Sequence, residues 1–533
     1  METFRFAPAY GLPTYAFEPP RDIGAGQRQR YPIVIVGAGL AGLTLACDLA
    51  QRGVRAVLLD EDDTVGVRGA SSRGICYAQK SLEIFDRLGL CERITAKGVT
   101  WSVGKTYSGD SEVYNFNLGT SSVSMQPPFV NLQQFYVEWF LVDRIEELGC
   151  TDLRWKNRVT RIDAQPDHVR VVVDTPAGAY ELEASYLVDA SGAHSPIRAQ
   201  LGLDAHVSRS TDRWCISDVR FRKPLPVERW TWVDAPFNEG RAVWQHLMGD
   251  GVWRIDYQMA EDADPEHVSQ PEVAGPRLRS QLGPDVEFEF VWIGPYQYRD
   301  HLLDEFRCGR VFFIGDAAHV VSPFGARGGN SGIQDAANLG WKLALVLQGQ
   351  AGETLLDSYN AERQPAAAQN LKVTSRTARF LAPRTPAERL LRSAVVALAR
   401  RHTFARPLVN TGRMSVANDY VVSRWLPRGG RSVQNIAFDG SSVMALLRDD
   451  TRFVGLWFSP DRAAAERTRS LSERCPLTLR TVDADSALAQ HLEARAGTFV
   501  LIRPDAYLAA SIDDATPQQI EAALRAALSK DEE

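Results

Sequence analysis

Two groups of residues in this chain have the types and spacing to do chemistry. The first is Gly37-x-Gly39-x-x-Gly42, preceded by the apolar run Ile33-Val34-Ile35-Val36. A helical stretch from Leu40 to Arg52 and a second apolar run, Val54 to Leu59, lead from it to Asp60 and Glu61. In such a unit Gly37 makes the tight turn, Gly39 lets backbone amides close on a pyrophosphate, Gly42 lets helix pack on strand, and Asp60 accepts ribose hydroxyls. Leu40 and Ala41 sit inside the fingerprint, where the helix N-terminus favours an anion. The second group is Gly315-Asp316-Ala317-Ala318-His319, then Ser322-Pro323-Phe324-Gly325, then Gly328-Gly329-Asn330 opening a long helix. A carboxylate at a strand end and a glycine-rich turn into a helix gather several N–H groups on one ligand edge.

One ligand serves both groups only if it is long enough to touch both. A single fingerprint, with no second one for a nicotinamide, points to FAD. The elements that must hold these turns are legible around them. Ile33 to Val36, Val54 to Leu59, Tyr186 to Asp189 and Arg310 to Gly315 read as strands buried on both faces. Val169 to Val173 and Tyr180 to Ala184 flank Pro176-Ala177-Gly178 as a hairpin. Ser81 to Leu88, Phe135 to Leu148 and Asn330 to Val346 read as amphipathic helices. From Trp214 to Tyr298 the chain is mostly strands and dense in aromatics, the composition of a sheet with one wall facing a pocket. The fold class expected is α/β: a Rossmann-like FAD-binding domain interleaved with a mostly β substrate domain, plus a C-terminal unit after the polar stretch Leu426 to Gly430. The division is 1–30 as an irregular extension, 31–205 and 301–425 as the two parts of the FAD-binding domain, 206–300 as the substrate sheet, and 430–533 as the last unit.

Composition narrows the classes further. With 533 residues, 44% hydrophobic and 24% charged, the chain is globular rather than disordered. A net charge of -6 gives no basic excess overall, so nucleic acid is not expected as a partner. Seven scattered Cys have neither C-x-x-C nor metal-ligand spacing, which predicts reduced thiols, a cytoplasmic location and no metal. No apolar run is long enough to span a membrane, and the first thirty residues lack a leader's apolar core.

The ordered motifs GAGLAG (37–42), SRGICYAQKSLEIFDRLG (72–89), NLQQFYVE (131–138), DASGAHSPIR (189–198), WRIDYQ (253–258) and GDAAHVVSPFGARGGNSGIQDAANLGWKL (315–343) resemble the single-component FAD-dependent aromatic hydroxylases of the p-hydroxybenzoate hydroxylase type, and within them the 3-(3-hydroxyphenyl)propionate hydroxylases. The resemblance implies that NADH or NADPH reduces the FAD, and that O2 is captured as a flavin hydroperoxide that oxygenates a phenolic or related aromatic small molecule. It also implies that Arg73 lies near the pyrophosphate, that Gln134 or its neighbour Gln133 contacts the cofactor, and that Asp316 bonds the ribityl chain. Pro323 and the Gly328-Gly329-Asn330 turn would border the isoalloxazine ring. One departure stands out: the family's Asp-Gly in the middle motif is Ser191-Gly192 here, with Asp189 two residues earlier and Arg198 placed to organise the turn. The 430–533 unit resembles the thioredoxin-like domain of some relatives; without C-x-x-C it is left with packing or homodimer contact.

A phenolic substrate reacts faster when ionised, so a general base or a pKa-lowering donor near its hydroxyl is expected. His246, Arg254 and Tyr257 are the candidates in the aromatic stretch. Other readings are a relative acting on a polyketide or N-heterocycle by hydroxylation, epoxidation or ring-opening oxygenation, and a flavin binder without turnover. Trp230-x-Trp232 is similar to a halogenase motif, but Val233-Asp234-Ala235 follows it and no Lys precedes Lys80. Disulfide reductases need a redox Cys pair and a second fingerprint, and neither is present.

Overall fold

The computed structural model describes residues 10–529 except 25–27, 67–73, 121, 204, 384, 410–414, 427–429, 450, 460–467, 470 and 474. Arg30–Val36 is the centre of the first sheet, with Ile33 to Val36 buried. Ala56–Leu59 and Gly178–Asp189 flank it in parallel, with Thr151–Arg154 beyond the one and Val311–Phe313 beyond the other. A parallel strand is covered on both faces, which is why these segments read as unbroken apolar runs. Arg158–Ala164 and Val169–Thr175 continue the sheet antiparallel, and Thr175 pairs with Gly178 across the expected turn.

Helix Leu40–Gln51 leaves the first strand and crosses helix Gly328–Leu347, with Asp48 lying where a side chain on Gly340 would be. Asp48 is fully buried yet charged, because Arg52, at 2.9 Å, and Arg87 both bind it. The expected helices appear as Gln79–Arg87 and Gln134–Leu148. The described part of the N-terminal extension, from residue 10, packs on the body: Tyr15 stacks on Trp155 at 4.5 Å, and its N–H donates to the Asp63 carbonyl.

The second sheet has eight strands in the order His319–Val320, Phe288–Leu303, Ala205–Phe221, Val252–Gln258, Arg241–Leu247, Arg229–Ala235, Val103–Ser108 and Ser111–Asn117. The linear division of the chain therefore does not follow the sheets, since strands from within 31–205 and 301–425 pair at both edges. Its aromatics also fall on both faces rather than on one wall. Trp232, Trp253 and Tyr257 pack under helix Pro271–Leu282 through Leu278, while Trp214 and Trp244 face the other way. Alternation along a strand sends neighbours to opposite faces, so aromatic density alone does not say which wall it builds.

Past residue 430, Phe453–Phe458 runs parallel to Leu477–Val482 and antiparallel to Phe499–Ile502, which pairs with Leu508–Ile512. This unit is locked to the two long helices by buried charge. Arg503 holds Glu362 with both terminal nitrogens, at 2.7 and 2.8 Å, and Asp505 at 2.6 Å; Lys342 adds 2.9 Å to the same Glu362 carboxylate. These partners hold the Glu362 carboxyl down at about 2 against the cost of burial.

Removing one partner of such a cluster leaves buried charge unpaired, so Arg503→Met is expected to cost about 3–5 kcal/mol in urea unfolding. Because the folded Glu362 carboxyl lies below its ordinary value, the stability it contributes is complete above that ordinary value. It drains away as the pH falls toward about 2. Glu362→Gln should flatten that acid limb, measured as midpoint against pH.

Candidate functional site

The fingerprint turn is built from backbone in close contact. Gly37 has φ +104°, its N–H donates to the Leu59 carbonyl at 2.8 Å, and a Cβ there would stand 2.5 Å from the Ala190 carbonyl oxygen. A Cβ on Gly42 would collide with the Gly37 carbonyl, whereas one on Gly39 would meet no protein atom within 4 Å. Gly39 thus leaves an open cradle at the N-terminus of helix Leu40–Gln51, the place an anionic ligand group takes.

Asp60 is partly occupied by the turn itself. Its Oδ2 accepts from the Ala38 N–H at 2.5 Å and its Oδ1 from the Asp62 N–H at 2.8 Å. A carboxylate has about four acceptor positions, so two remain for a ribose. Glu61 beside it is exposed. Burial pushes the Asp60 carboxyl up.

The Gly315–Ala317 turn comes directly against the fingerprint. Gly315 has φ +58°, a Cβ on it would lie 3.0 Å from that of Ala41, and a Cβ on Gly329 would lie 3.3 Å from the Leu40 side chain. The two motifs, far apart in sequence, therefore share one site. Asp316, Pro323 and Gly329 are exposed, and Gly328 is half-buried at the start of helix Gly328–Leu347. Asn330 is buried and does structural work: its Nδ2 donates to the carbonyls of Cys76 (2.8 Å) and Ala326 (2.6 Å), and its Oδ1 accepts from the Ala78 N–H. Beneath the turn, Asp335 accepts from the Gly315 N–H at 3.1 Å, from His319 at 2.6 Å and from Arg363 at 2.7 Å.

Arg73 lies outside the described residues. Gln134 is half-buried; its Oε1 accepts from the Gly74 N–H and its Nε2 donates to Glu138. Gln133 is turned into the protein, donating to the Gly249 carbonyl at 2.9 Å. Glu138 was not singled out from the sequence. It is 1% exposed, accepts from the Gly66 N–H at 2.9 Å, and lies so dry that its carboxyl rises to about 7. Its spacing only marked it as a polar residue on an amphipathic helix.

The middle motif closes the site from below. Asp189 is fully buried and accepts from the Ser191 N–H (2.9 Å) and Oγ (2.6 Å) and from the Ser195 hydroxyl. Arg198 donates to the carbonyls of Ala193 (2.8 Å) and Ala317 (3.0 Å), tying this loop to the Gly315 turn. Ser191 therefore points inward, onto a carboxylate the chain supplies two residues earlier.

The second sheet presents one face to these turns. Trp214 stacks on Trp244 with ring centres 4.3 Å apart, and Phe324, next to Pro323, stands edge-on to Trp244 at 4.8 Å. The paired positions His246 and Arg254 continue the same face, as do Asp218, opposite Arg254, and Asp256, opposite Trp244. His246 is 5% exposed, neither ring nitrogen has a partner among the described residues, and burial beside Arg229 and Arg254 drives its pKa well below the ordinary value, so the ring is neutral. Arg254 is held by Asp218 through Nε at 2.8 Å and Nη2 at 2.7 Å, which makes it a structural ion pair in the wall. Tyr257 must be withdrawn from the reacting side. It alternates to the opposite face, where its hydroxyl donates to Gln281 at 2.6 Å and Arg277 covers its ring. Asp256 was missed, although the same alternation that removes Tyr257 selects it. No donor among the described residues bonds its carboxylate, and burial raises its pKa to about 7. Among the described residues no cluster of His, Cys, Asp and Glu could hold a metal.

An open backbone cradle, exposed Asp316 and a glycine-rich helix start in contact with it are a donor set that fits a long dinucleotide such as FAD. The model of the FAD binding domain family matches residues 30–374. The chain is 30% identical over 519 residues to a 6-methylpretetramide 4-monooxygenase of Streptomyces rimosus, covering 90% of each chain. It is 29% identical over 351 residues to a 3-(3-hydroxy-phenyl)propionate/3-hydroxycinnamic acid hydroxylase of Mycolicibacterium smegmatis, covering 66% of this chain and 61% of that one. The solved anhydrotetracycline hydroxylase OxyS of Streptomyces rimosus superposes with a TM-score of 0.74 at 27% identity, over 94% of this chain and 99% of that one. The chain belongs to the FAD binding domain family and is an FAD-dependent aromatic monooxygenase.

Gly39 and Gly42 separate binding from folding. Gly39→Ala should fold with an unchanged melting temperature while FAD affinity falls about tenfold or more, because the methyl enters only the cradle. Gly42→Ala should lower stability by about 1–3 kcal/mol, because its methyl meets backbone in the protein itself. Flavin fluorescence titration and thermal melts read the two effects apart.

Proposed function

We propose that this FAD-dependent monooxygenase consumes NADH or NADPH and O2 to hydroxylate a phenolic ring held between the Gly315 and Asn330 turns and the Trp214, Trp244, His246 and Asp256 face of the second sheet. The observation that carries the reading is that face: a stacked aromatic end against Phe324, running into an end where the buried, neutral His246 imidazole and the half-buried Asp256 carboxyl share the face. When bound, FAD supplies the electron transfer and the activation of O2. Gly37, Gly39, Leu40, Ala41 and Gly42 receive its pyrophosphate, Asp60 and Glu61 its adenosine ribose, and Asp316 its ribityl chain. Pro323, Gly328 and Gly329 border the ring, and Asn330 fixes the turn beside it. Arg73 and Gln134 complete the cofactor set by resemblance.

On the protein side, Trp214, Trp244 and Phe324 orient a flat ring and exclude water, which prevents unproductive loss of the activated oxygen. Asp256 accepts the phenolic proton at its carboxylate, which raises electron density on the ring. Neutral His246 hydrogen-bonds the hydroxyl, and Arg254 acts through its hold on Asp218. The polyketide reading has one specific support: the 6-methylpretetramide 4-monooxygenase is 30% identical over 90% of both chains, against 27% over 90% of this chain and 88% of the other for a 3-(3-hydroxy-phenyl)propionate/3-hydroxycinnamic acid hydroxylase. On that reading the substrate is a fused polycyclic phenol. The 430–533 unit is proposed as thioredoxin-like, supported by a parallel strand pair at one edge of its four-stranded sheet, continued by two antiparallel strands. Packing, and contact in a homodimer, are its proposed roles.

The test is NADH and NADPH oxidation by the FAD-loaded chain with single-ring phenols and fused polycyclic phenols, quantifying product and hydrogen peroxide. Peroxide without product for every phenol would reject the reading. If Asp256 is the base, the ionised form that accepts the proton dominates above about 7, so the rate should climb with pH through that value and level off. Asp256→Asn should remove the climb and lower kcat about 100-fold. His246→Ala should raise KM while keeping the climb; a profile that vanishes with His246 instead would exchange the two roles.

A further inference from the structure

Between Lys372 and Arg406 the sequence carries nine Lys and Arg but a single carboxylate, Glu388, in a chain whose net charge is -6. The segment folds as the end of helix Asp357–Leu381, helix Pro386–Ala399 and helix Arg406–Val409. Lys372, Arg376, Arg379, Arg389, Arg400 and Arg401 are exposed, and among the described residues no carboxylate forms an ion pair with any of them. Glu388 serves the cap of its own helix, where its carboxylate accepts from the Thr385 N–H at 3.0 Å. Among the described residues the charge of these six side chains is therefore not neutralised by ion pairs.

The same helices expose large apolar side chains: Leu390 at 72%, Leu391 at 61% and Phe404 at 70%, with Leu398 and Leu408 beside them. Scattered apolar residues on a surface need no explanation, but here helix Pro386–Ala399 is apolar on both sides. Its inner side, Val395, Val396 and Ala399, packs on the cluster that holds Trp214, Trp244 and Phe324. Among the described residues no layer covers its outer side.

Charge decides what covers that side. A second copy meeting this one through a two-fold axis would bring the same basic rim onto itself and bury like charges together. An anionic lipid surface neutralises every one of them, while the headgroup region accepts Leu390, Leu391 and Phe404. We propose that the helical surface of residues 386–409, with the basic end of the preceding helix, docks the enzyme on anionic phospholipid. The docked helices are the ones that cover the aromatic end of the pocket. On the reading given above, an apolar substrate dissolved in the bilayer then enters without crossing water.

The experiment is co-sedimentation of the FAD-loaded full chain with vesicles of phosphatidylcholine alone or mixed with phosphatidylglycerol, at low and high salt. Binding should be confined to the phosphatidylglycerol vesicles and fall with salt. Arg400→Glu/Arg401→Glu should cut the bound fraction about tenfold or more, and Leu390→Ser/Leu391→Ser should weaken it while each retains FAD. No binding of the wild-type chain, equal binding to both vesicle types, or binding indifferent to salt would overturn the proposal. So would a wild-type dimer in sedimentation velocity that Leu390→Ser/Leu391→Ser dissociates, since a second copy would then own the face. The wild-type arms decide the matter even if a variant fails to fold, and none of them depends on turnover.

Discussion

Backbone lying on backbone, with no side chain between, is the constraint on which the rest of this structure depends. At the carboxyl ends of the parallel strands three turns converge, around Gly37, Ala190 and Gly315, each within contact distance of the next or of the helix that follows it. Only glycine fits at Gly37, where φ is positive and the Ala190 carbonyl lies against it, and at Gly42, where the helix meets the turn. What the crowding leaves open is the space over Gly39, bounded by the start of one helix and faced by the start of another. Ligand binding at this end of a parallel sheet follows from the geometry: amides that cannot pair within the sheet point outward together.

Turns this tight need support from below, and the chain supplies it with buried charge. Asp189 gathers Ser191 and Ser195 under the first turn; Asp335 gathers the Gly315 amide, His319 and Arg363 under the second. Glu362, the neighbour of Arg363, reaches Arg503 in the C-terminal unit. The last hundred residues are thereby tied to the same two helices that carry the cofactor turn. A cluster like this adds less to stability than its short distances suggest, since desolvation offsets much of the attraction. Its value lies in direction: each carboxylate draws donors from several elements onto one point, and that convergence fixes the turn above it.

The glycine spacing, the strand runs before it and the second cluster around Asp316 were legible because each obeys a local rule of turn or period. What escaped was pairing across long separations. Val103–Ser108 joins Arg229–Ala235 in parallel, and nothing in either run names the other. Tyr257 and Asp256 show the same limit at the scale of one residue. They are adjacent and both polar enough for chemistry, and the phase of the strand alone puts Asp256 toward the cofactor turn and Tyr257 behind the sheet. Glu138 and Asp335 lie in segments that read only as amphipathic helices, because period reveals a buried stripe but not a carboxylate that has been given partners inside it.

On the proposed reading, dryness on this face of the second sheet serves both binding and reaction. Removing water from His246 disfavours its charged form, and Arg229 and Arg254 add to that, so the ring stays neutral. The same removal disfavours the ionised form of Asp256, but Arg254 and Arg229 oppose it there, and the carboxyl settles at about 7 rather than far above. Two cations therefore push both residues toward the states a proton acceptor and its neutral neighbour require. The Asp218–Arg254 pair is what keeps one of those cations in place, since an unpaired guanidinium would not stay in so dry a wall. The aromatic end needs no such balance: Trp214, Trp244 and Phe324 exclude water by area alone, and by doing so they set the dielectric in which the ionisable end works.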